Sequence, residues 1–133
     1  MELLSIVLTN EPGALGKAAR TLGDAKINIE ALSVDTHSEV GLARVLVAEP
    51  AKAVEALKKK GFQAQVIHAL RLPLANKPGA LGKVCEQLSE AGVNIEFMLG
   101  GPASGKASDL LMSFEDFPKA QEVLKALKIE YET

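Results

Sequence analysis

One cysteine, no tryptophan, one tyrosine and four phenylalanines in 133 residues leave several kinds of chemistry without material. Cys85 alone cannot close an internal disulfide, which fits a reducing, cytoplasmic setting. Aromatic side chains make up only 4%, so there is little with which to stack bases. Fifteen basic and 17 acidic residues are interspersed and give a formal charge of −2, which leaves no positive footprint for a phosphate backbone. No long apolar run occurs at the start: "MELLSIVL" meets Asn-Glu-Pro-Gly after about eight residues, too short for a signal peptide or a membrane span. No segment is low in complexity. Nucleic acid, membrane and disulfide-scaffold readings therefore start with nothing in their favour.

What is present is an apolar fraction of 47%, enough to bury a core in one ordinary domain or two very small ones. There is also a repeat. "TNEPGALGKA" at 9–18 returns as "ANKPGALGKV" at 75–84, at a distance of 66 positions (76 − 10). The match extends without a gap from 10–30 over 76–96 and closes on Asn-Ile-Glu both times. A period of this length marks a structural unit rather than a local motif.

Each unit reads in the same order. "LLSIVLT" alternates as a strand does. Pro12 suits a first helical turn, where its missing N–H costs nothing. Leu15, Ala18, Ala19 and Leu22 then fall on one helix face, as do Leu81, Val84, Cys85 and Leu88 in the second copy. "INIEALSVDT" and "LARVLVA" read as strands about the turn "SEVG". Pro50 opens a second helix that Lys58, Lys59, Lys60 and Gly61 close, and "FQAQVIHAL" is a fourth strand. The second copy runs "ALRLPL", a helix over 79–91, "NIEFMLG", "SDLLMSF", a helix "PKAQEVLKAL" and a short last strand "IEYET". Matching "VEALK" (54–58) to "LKALK" (124–128) gives a shift of 70 (124 − 54), with the extra length near the Gly-rich "GGPASG" at 100–105. The expectation is an α+β chain of two βαββαβ units, each a four-stranded antiparallel sheet with helices on one face. The boundary falls near His68, giving units 1–68 and 69–133 with no Gly/Ser linker between them.

A strand ending in Asn-x-Pro-Gly-Ala-Leu-Gly, a helix, and Asn-Ile opening the next strand, inside βαββαβ, resembles the ACT domain. The resemblance covers the whole chain as two tandem ferredoxin-like units with no catalytic domain attached. It implies a small regulatory module that binds free amino acids at an interface between ACT units. The loop after the first strand would supply backbone amides, and the asparagine opening the second strand would supply a side chain from a neighbouring unit. Carried onto this chain, the first set is Asn10, Pro12, Gly13, Ala14 and Leu15, with Asn28 and Ile29. The second is Asn76, Pro78, Gly79, Ala80 and Leu81, with Asn94 and Ile95. No cofactor or metal is implied. The implied partners are an amino acid, a separate metabolic enzyme and a second copy of the chain.

The residue types suit that role. A helix N-terminus leaves free N–H groups and a partial positive charge, which favour a carboxylate. Gly13 and Gly79 lack a Cβ, so Gly13→Val or Gly79→Val is expected to block a ligand while leaving the fold largely intact. Asn28 and Asn94 can meet either charge of an amino acid. A purely structural reading stands beside this one: Pro-Gly also turns any strand into a helix, and asparagine after a helix also takes up left-handed geometry.

Other signals carry less. "GGPASGKA" (100–107) approaches the phosphate-loop pattern, but Ala107 stands where a hydroxyl belongs and a strand follows where a helix is needed. It reads as a hairpin tip. Cys85 on an apolar face reads as a buried structural thiol. His37 and His68 lack second ligands at metal spacing. Glu30 and Glu96 read as solvated strand positions. An RNA-binding βαββαβ protein would need exposed aromatics and a basic face on its central strands, and an enzyme would need a convergent acid, base or nucleophile; neither is in view. A ligand-free assembly module is the remaining alternative to a non-catalytic amino-acid sensor.

Overall fold

The computed structural model describes residues 1–100 and 107–133, and of Ala107 only its backbone. The chain divides into two compact units, one comprising Glu2–His68 and the other Met1 with Ala69–Thr133.

The first unit runs β1 (Glu2–Thr9), α1 (Ala14–Asp24), β2 (Ile29–His37), β3 (Val40–Val47), α2 (Pro50–Lys59) and β4 (Gln63–His68). Its sheet has the order β2-β3-β1-β4, every pair antiparallel, which is the ferredoxin-like arrangement. Period-2 alternation sends Leu4, Ile6 and Leu8 of β1 toward the helices. They pack with Ala43, Val45 and Val47 of β3, Ala18 and Leu22 of α1, and Ala53 and Leu57 of α2.

The second unit runs β5 (Leu70–Ala75), α3 (Ala80–Glu90), β6 (Ile95–Gly100), β7 (Ala107–Phe114) and α4 (Phe117–Ala126). Its sheet has the order β5-β7-β6 and its core is built from Leu70, Leu72, Leu88, Met112 and Leu124 with their neighbours. The expected fourth strand is reduced to one antiparallel bridge, Arg71 to Glu132, in which each backbone N–H donates to the other's carbonyl at 2.9 Å. This bridge has the register of Ser5 and Gln65 in the first unit. The second sheet thus keeps the pairing of a fourth strand at a single position.

The positions of the elements correct the length of the insertion. β5, α3 and β6 follow their counterparts at 66 positions (80 − 14), whereas β7 and α4 follow at 67 (107 − 40). Leu57 and Leu124, both fully buried, answer one another at that spacing. One residue has been added between β6 and β7, not four. The shift of 70 was in error by three residues, close to one helical turn, so an apolar stripe matches almost as well out of register.

The helix faces also differ from expectation. Ala14, Ala18 and Leu22 form the buried face of α1, and Val84 and Leu88 that of α3. Leu15 and Leu81 stay 39% and 40% exposed, against 1% for Leu22 and 0% for Leu88. The i, i+4, i+8 row through Ala14 points inward, and it turns the larger leucine beside it outward. Cys85 is half-buried rather than enclosed.

Candidate functional site: the repeated Pro-Gly turn

Glu11 to Ala14 is a four-residue turn closed by Ala14 N–H donating to the Glu11 carbonyl at 3.3 Å. Proline stands second and Gly13 third, at φ 91° and ψ −12°, the combination that a type II turn requires. Lys77 to Ala80 repeats it, again at 3.3 Å, with Gly79 at φ 87° and ψ −13°. Pro12 therefore precedes the helix instead of occupying its first turn. Gly13 and Gly79 are needed for their left-handed backbone. Substitution there carries backbone strain whatever a ligand does, which corrects the expectation that Gly13→Val would leave the fold largely intact.

Each helix then continues from the glycine: the Gly13 carbonyl accepts from Lys17 N–H at 2.9 Å, and that of Gly79 from Lys83 N–H at 3.0 Å. Neither helix has a side-chain cap. The amides of Leu15 and Gly16, and of Leu81 and Gly82, find no acceptor among the described residues. By contrast Asp116 caps α4, accepting from Lys119 N–H at 3.1 Å. Each copy of the turn thus ends in two free donors at the positive end of an 11-residue helix.

The fold accounts for some motif residues and not for others. Asn10 donates from Nδ2 to the Ser38 carbonyl at 2.7 Å and from its backbone N–H to the Glu39 carbonyl at 2.9 Å. It ties the turn to the β2–β3 hairpin. The residues that answer Ser38 and Glu39 in the second copy fall in 101–106, outside the described residues, as does all but Gly100 of the "GGPASG" stretch read as a hairpin tip. Ala14 is buried in the core, and Ala80, Ile29 and Ile95 are half-buried. Gly16 and Gly82 have no such duty. Neither has a positive φ, and a Cβ on either would meet nothing within 4 Å. Glycine inside a helix costs about 0.5–1 kcal/mol relative to alanine. Both copies carry that cost where packing gives no return. Sequence reading passed over these two glycines, although their place inside a helix was visible.

Asn28 and Asn94 are exposed, and their side chains make no hydrogen bond among the described residues. The left-handed residues that end the helices are Lys26 (φ 61°) and Gly92 (φ 72°), two positions earlier. The asparagines are therefore not there for left-handed geometry. Within one unit the two halves of the expected site do not meet. Gly13 precedes α1 and Asn28 follows it, so about 16 Å of helix lies between them at 1.5 Å per residue.

Beside the first turn lies a groove of about 420 Å³, lined by Val7, Glu11, Lys17, Glu39, Lys60 and Phe62 among others. Glu30, Glu96, His37 and His68 are exposed, and His68 Nδ1 lies 3.9 Å from a Glu2 carboxylate oxygen. Lys59 pairs with Glu55 at 2.9 Å, and this contact holds the Glu55 carboxyl below its ordinary range. Among the described residues no cluster of His, Cys, Asp and Glu could hold a metal ion, and no helix is long and apolar enough to cross a membrane.

The repeated turn, the two βαββαβ units and the helix N-termini define a class, that of paired ACT modules. The chain belongs to the ACT domain pair family, which it matches over residues 1–133. It is similar to the crystal structure of protein BT0572 from Bacteroides thetaiotaomicron, with 33% identity over 98% of this chain and 90% of that one, at a TM-score of 0.90. The ligand-free regulatory subunit of aspartate kinase from Thermus thermophilus shares the fold at 16% identity, covering 96% of this chain and 90% of its own, with a TM-score of 0.70. The regulatory subunit from Thermus flavus does so at 15% identity and the same coverage, with a TM-score of 0.68. No functionally curated protein matches the chain in sequence.

Proposed function

We propose that the chain is a non-catalytic regulatory protein that binds a free amino acid on its Pro-Gly turns and controls a separate partner enzyme of amino-acid metabolism. The observation that carries this reading is the free amide pair at Leu15 and Gly16, repeated at Leu81 and Gly82, beside glycines that the fold does not require. Two amides at a helix N-terminus suit a carboxylate. An unpaired asparagine carbonyl suits the ammonium group. Because Asn28 stands at the far end of α1 from its own turn, the asparagine that completes a site comes from an ACT unit other than the one that supplies the turn. The aspartate kinase regulatory subunits, whose fold this chain shares, are consistent with such a role. Ligand binding would favour one arrangement of units over others and so report amino-acid level to the partner.

The experiment is a thermal-shift screen of the chain with each of the twenty amino acids at millimolar concentration. At least one is expected to raise Tm, and Asn28→Ala or Asn94→Ala is expected to weaken its binding by about 1–3 kcal/mol, the usual loss for a hydrogen bond to a charged group. A flat screen would leave the turn as a scaffold feature.

One observation favours the second reading, an assembly module that needs no ligand. Leu15 and Leu81 are exposed at the same place in both copies, and β2 is an edge strand of its sheet carrying the exposed Leu32. Edges and apolar side chains of this kind are commonly covered by a partner. A homodimer is expected on either reading, and light scattering at micromolar concentration decides it.

A further inference from the structure

The free edge of β4 in the first unit differs from the other sheet edges among the described residues. Those edges carry obstacles to a further strand: β2 has Glu30 and Asp35, β5 has Pro73, and β6 has Glu96. β4 runs through Gln63, Ala64, Gln65, Val66 and Ile67 with neither a proline nor a charged group before His68.

The ladder to β1 determines which backbone groups of this strand are already used. Ala69 N–H donates to the Met1 carbonyl at 2.9 Å, one step beyond the Glu2–His68 pair. Hydrogen-bonded pairs recur at every second residue of an antiparallel ladder, so Ile67, Gln65 and Gln63 turn their N–H and C=O groups to β1. Ala64 and Val66 turn theirs to the open edge. The second unit offers no such edge. There Pro73 answers Val7, at a place where a paired strand needs an N–H, and the fourth strand is reduced to the Arg71–Glu132 bridge.

Positive charge gathers beside the β4 edge. Residues 58–68, "KKKGFQAQVIH", hold three lysines and a histidine and no acid, in a chain whose formal charge is −2. Lys59 is paired with Glu55, while Lys58 and Lys60 are exposed and make no ion pair within 4.0 Å among the described residues. Phe62 N–H, donating to the Leu57 carbonyl at 3.0 Å, ties the end of α2 to the start of β4 and so sets the lysines there. A cleft of about 420 Å³ lies against the strand, lined by Lys58, Phe62, Gln63, Ala64 and Gln65 together with residues of β1. Phe62 and Ala64 pack with the core, whereas Gln63 and Gln65 alternate with them onto the opposite face. The cleft therefore runs round the edge of the sheet and not into either face.

We propose that this edge docks an extended acidic segment of a partner protein, which adds to the four-stranded sheet as a further strand beside β4. The segment's backbone pairs with Ala64 and Val66, and its carboxylates answer Lys58 and Lys60. A second copy presenting the same edge does not fit, since residues 58–68 bring no anion to meet the lysines. The Pro-Gly turns and their asparagines take no part, so this docking stands apart from the amino-acid reading.

Hydrogen exchange of the full chain tests this, with capped peptides of about eight residues in which glutamate alternates with valine. The acidic peptide is expected to slow exchange at Ala64 and Val66 in a saturable way, with less change at Gln63, Gln65 and Ile67, which β1 already holds. A version N-methylated along its backbone keeps the charge and loses the pairing, and a version with lysine for glutamate reverses the charge. Each is expected to bind about tenfold more weakly. Lys58→Glu with Lys60→Glu, at two exposed positions, is expected to turn the preference from the acidic peptide to the basic one. Asn28→Ala and Asn94→Ala are expected to leave the response unchanged. The proposal is overturned if Ala64 and Val66 keep their exchange rates, or if the N-methylated peptide binds as well as the plain one, which would leave charge alone. It is also overturned if the two amides slow with protein concentration and no peptide, which would make the edge a contact between copies. A chain that answers the acidic peptide and no amino acid would support the edge and count against the ligand reading alone.

Discussion

Gly13 and Gly79, 66 residues apart, hold the same backbone conformation: φ 91°, ψ −12° in one and φ 87°, ψ −13° in the other. Neither has a neighbour within 4 Å of where a Cβ would stand, so the constraint is the backbone itself and not crowding. Gly13→Ala and Gly79→Ala are each expected to destabilise the chain by about 1–2 kcal/mol, the cost of left-handed geometry for a residue with a Cβ. Urea unfolding measures this directly. A loss near zero would mean that the turn relaxes without cost.

Two pairs of leucines at equivalent places should behave oppositely. Leu22 and Leu88 are enclosed, and each change to alanine is expected to cost about 2–5 kcal/mol. Leu15→Ala and Leu81→Ala remove exposed side chains, and each is expected to change stability by no more than about 0.5 kcal/mol in the isolated chain. A large loss from Leu81→Ala at low protein concentration would show that the side chain is covered.

The repeat made the element order legible because both copies vary around the same apolar periodicity. The finer assignments failed where physics is degenerate. Ala18 and Leu22 belong both to the i, i+3, i+4, i+7 stripe from Leu15 and to the i, i+4, i+8 row from Ala14, and hydropathy favours the leucine while the geometry selects the alanine. The match of "VEALK" to "LKALK" went astray by three residues because that is nearly a helical turn. Proline before a helix fits two slots, the first turn or the second position of a type II turn, and only the left-handed glycine after it decides. The role of Asn10 rests on Ser38, 28 residues away, and nothing local announces it. The charges of the groove beside the first turn come from four separate segments, so no sequence motif could have shown them.

Asn10→Ala removes the bond from Nδ2 to the Ser38 carbonyl. The site is exposed, so water replaces the donor, and the expected loss is about 0.5–1.5 kcal/mol. Hydrogen exchange should show faster opening at Val40 and Gly41, while the amides of α2 keep their protection. Equal loosening throughout the unit would contradict a local clamp.

The central claim is that Gly16 and Gly82 are kept for something that approaches the first turn of the helix. Gly16→Ala with Gly82→Ala separates fold from function, because alanine suits a helix and meets nothing at either place. The direct measurement is the Tm of this double variant against the native chain, with and without the amino acid that the screen identifies. Without ligand the variant should be more stable, by about 0.5–1 kcal/mol at each site. With ligand, the rise in Tm seen for the native chain should be lost or greatly reduced. A variant that is more stable and still gains the full ligand-induced shift would contradict the account.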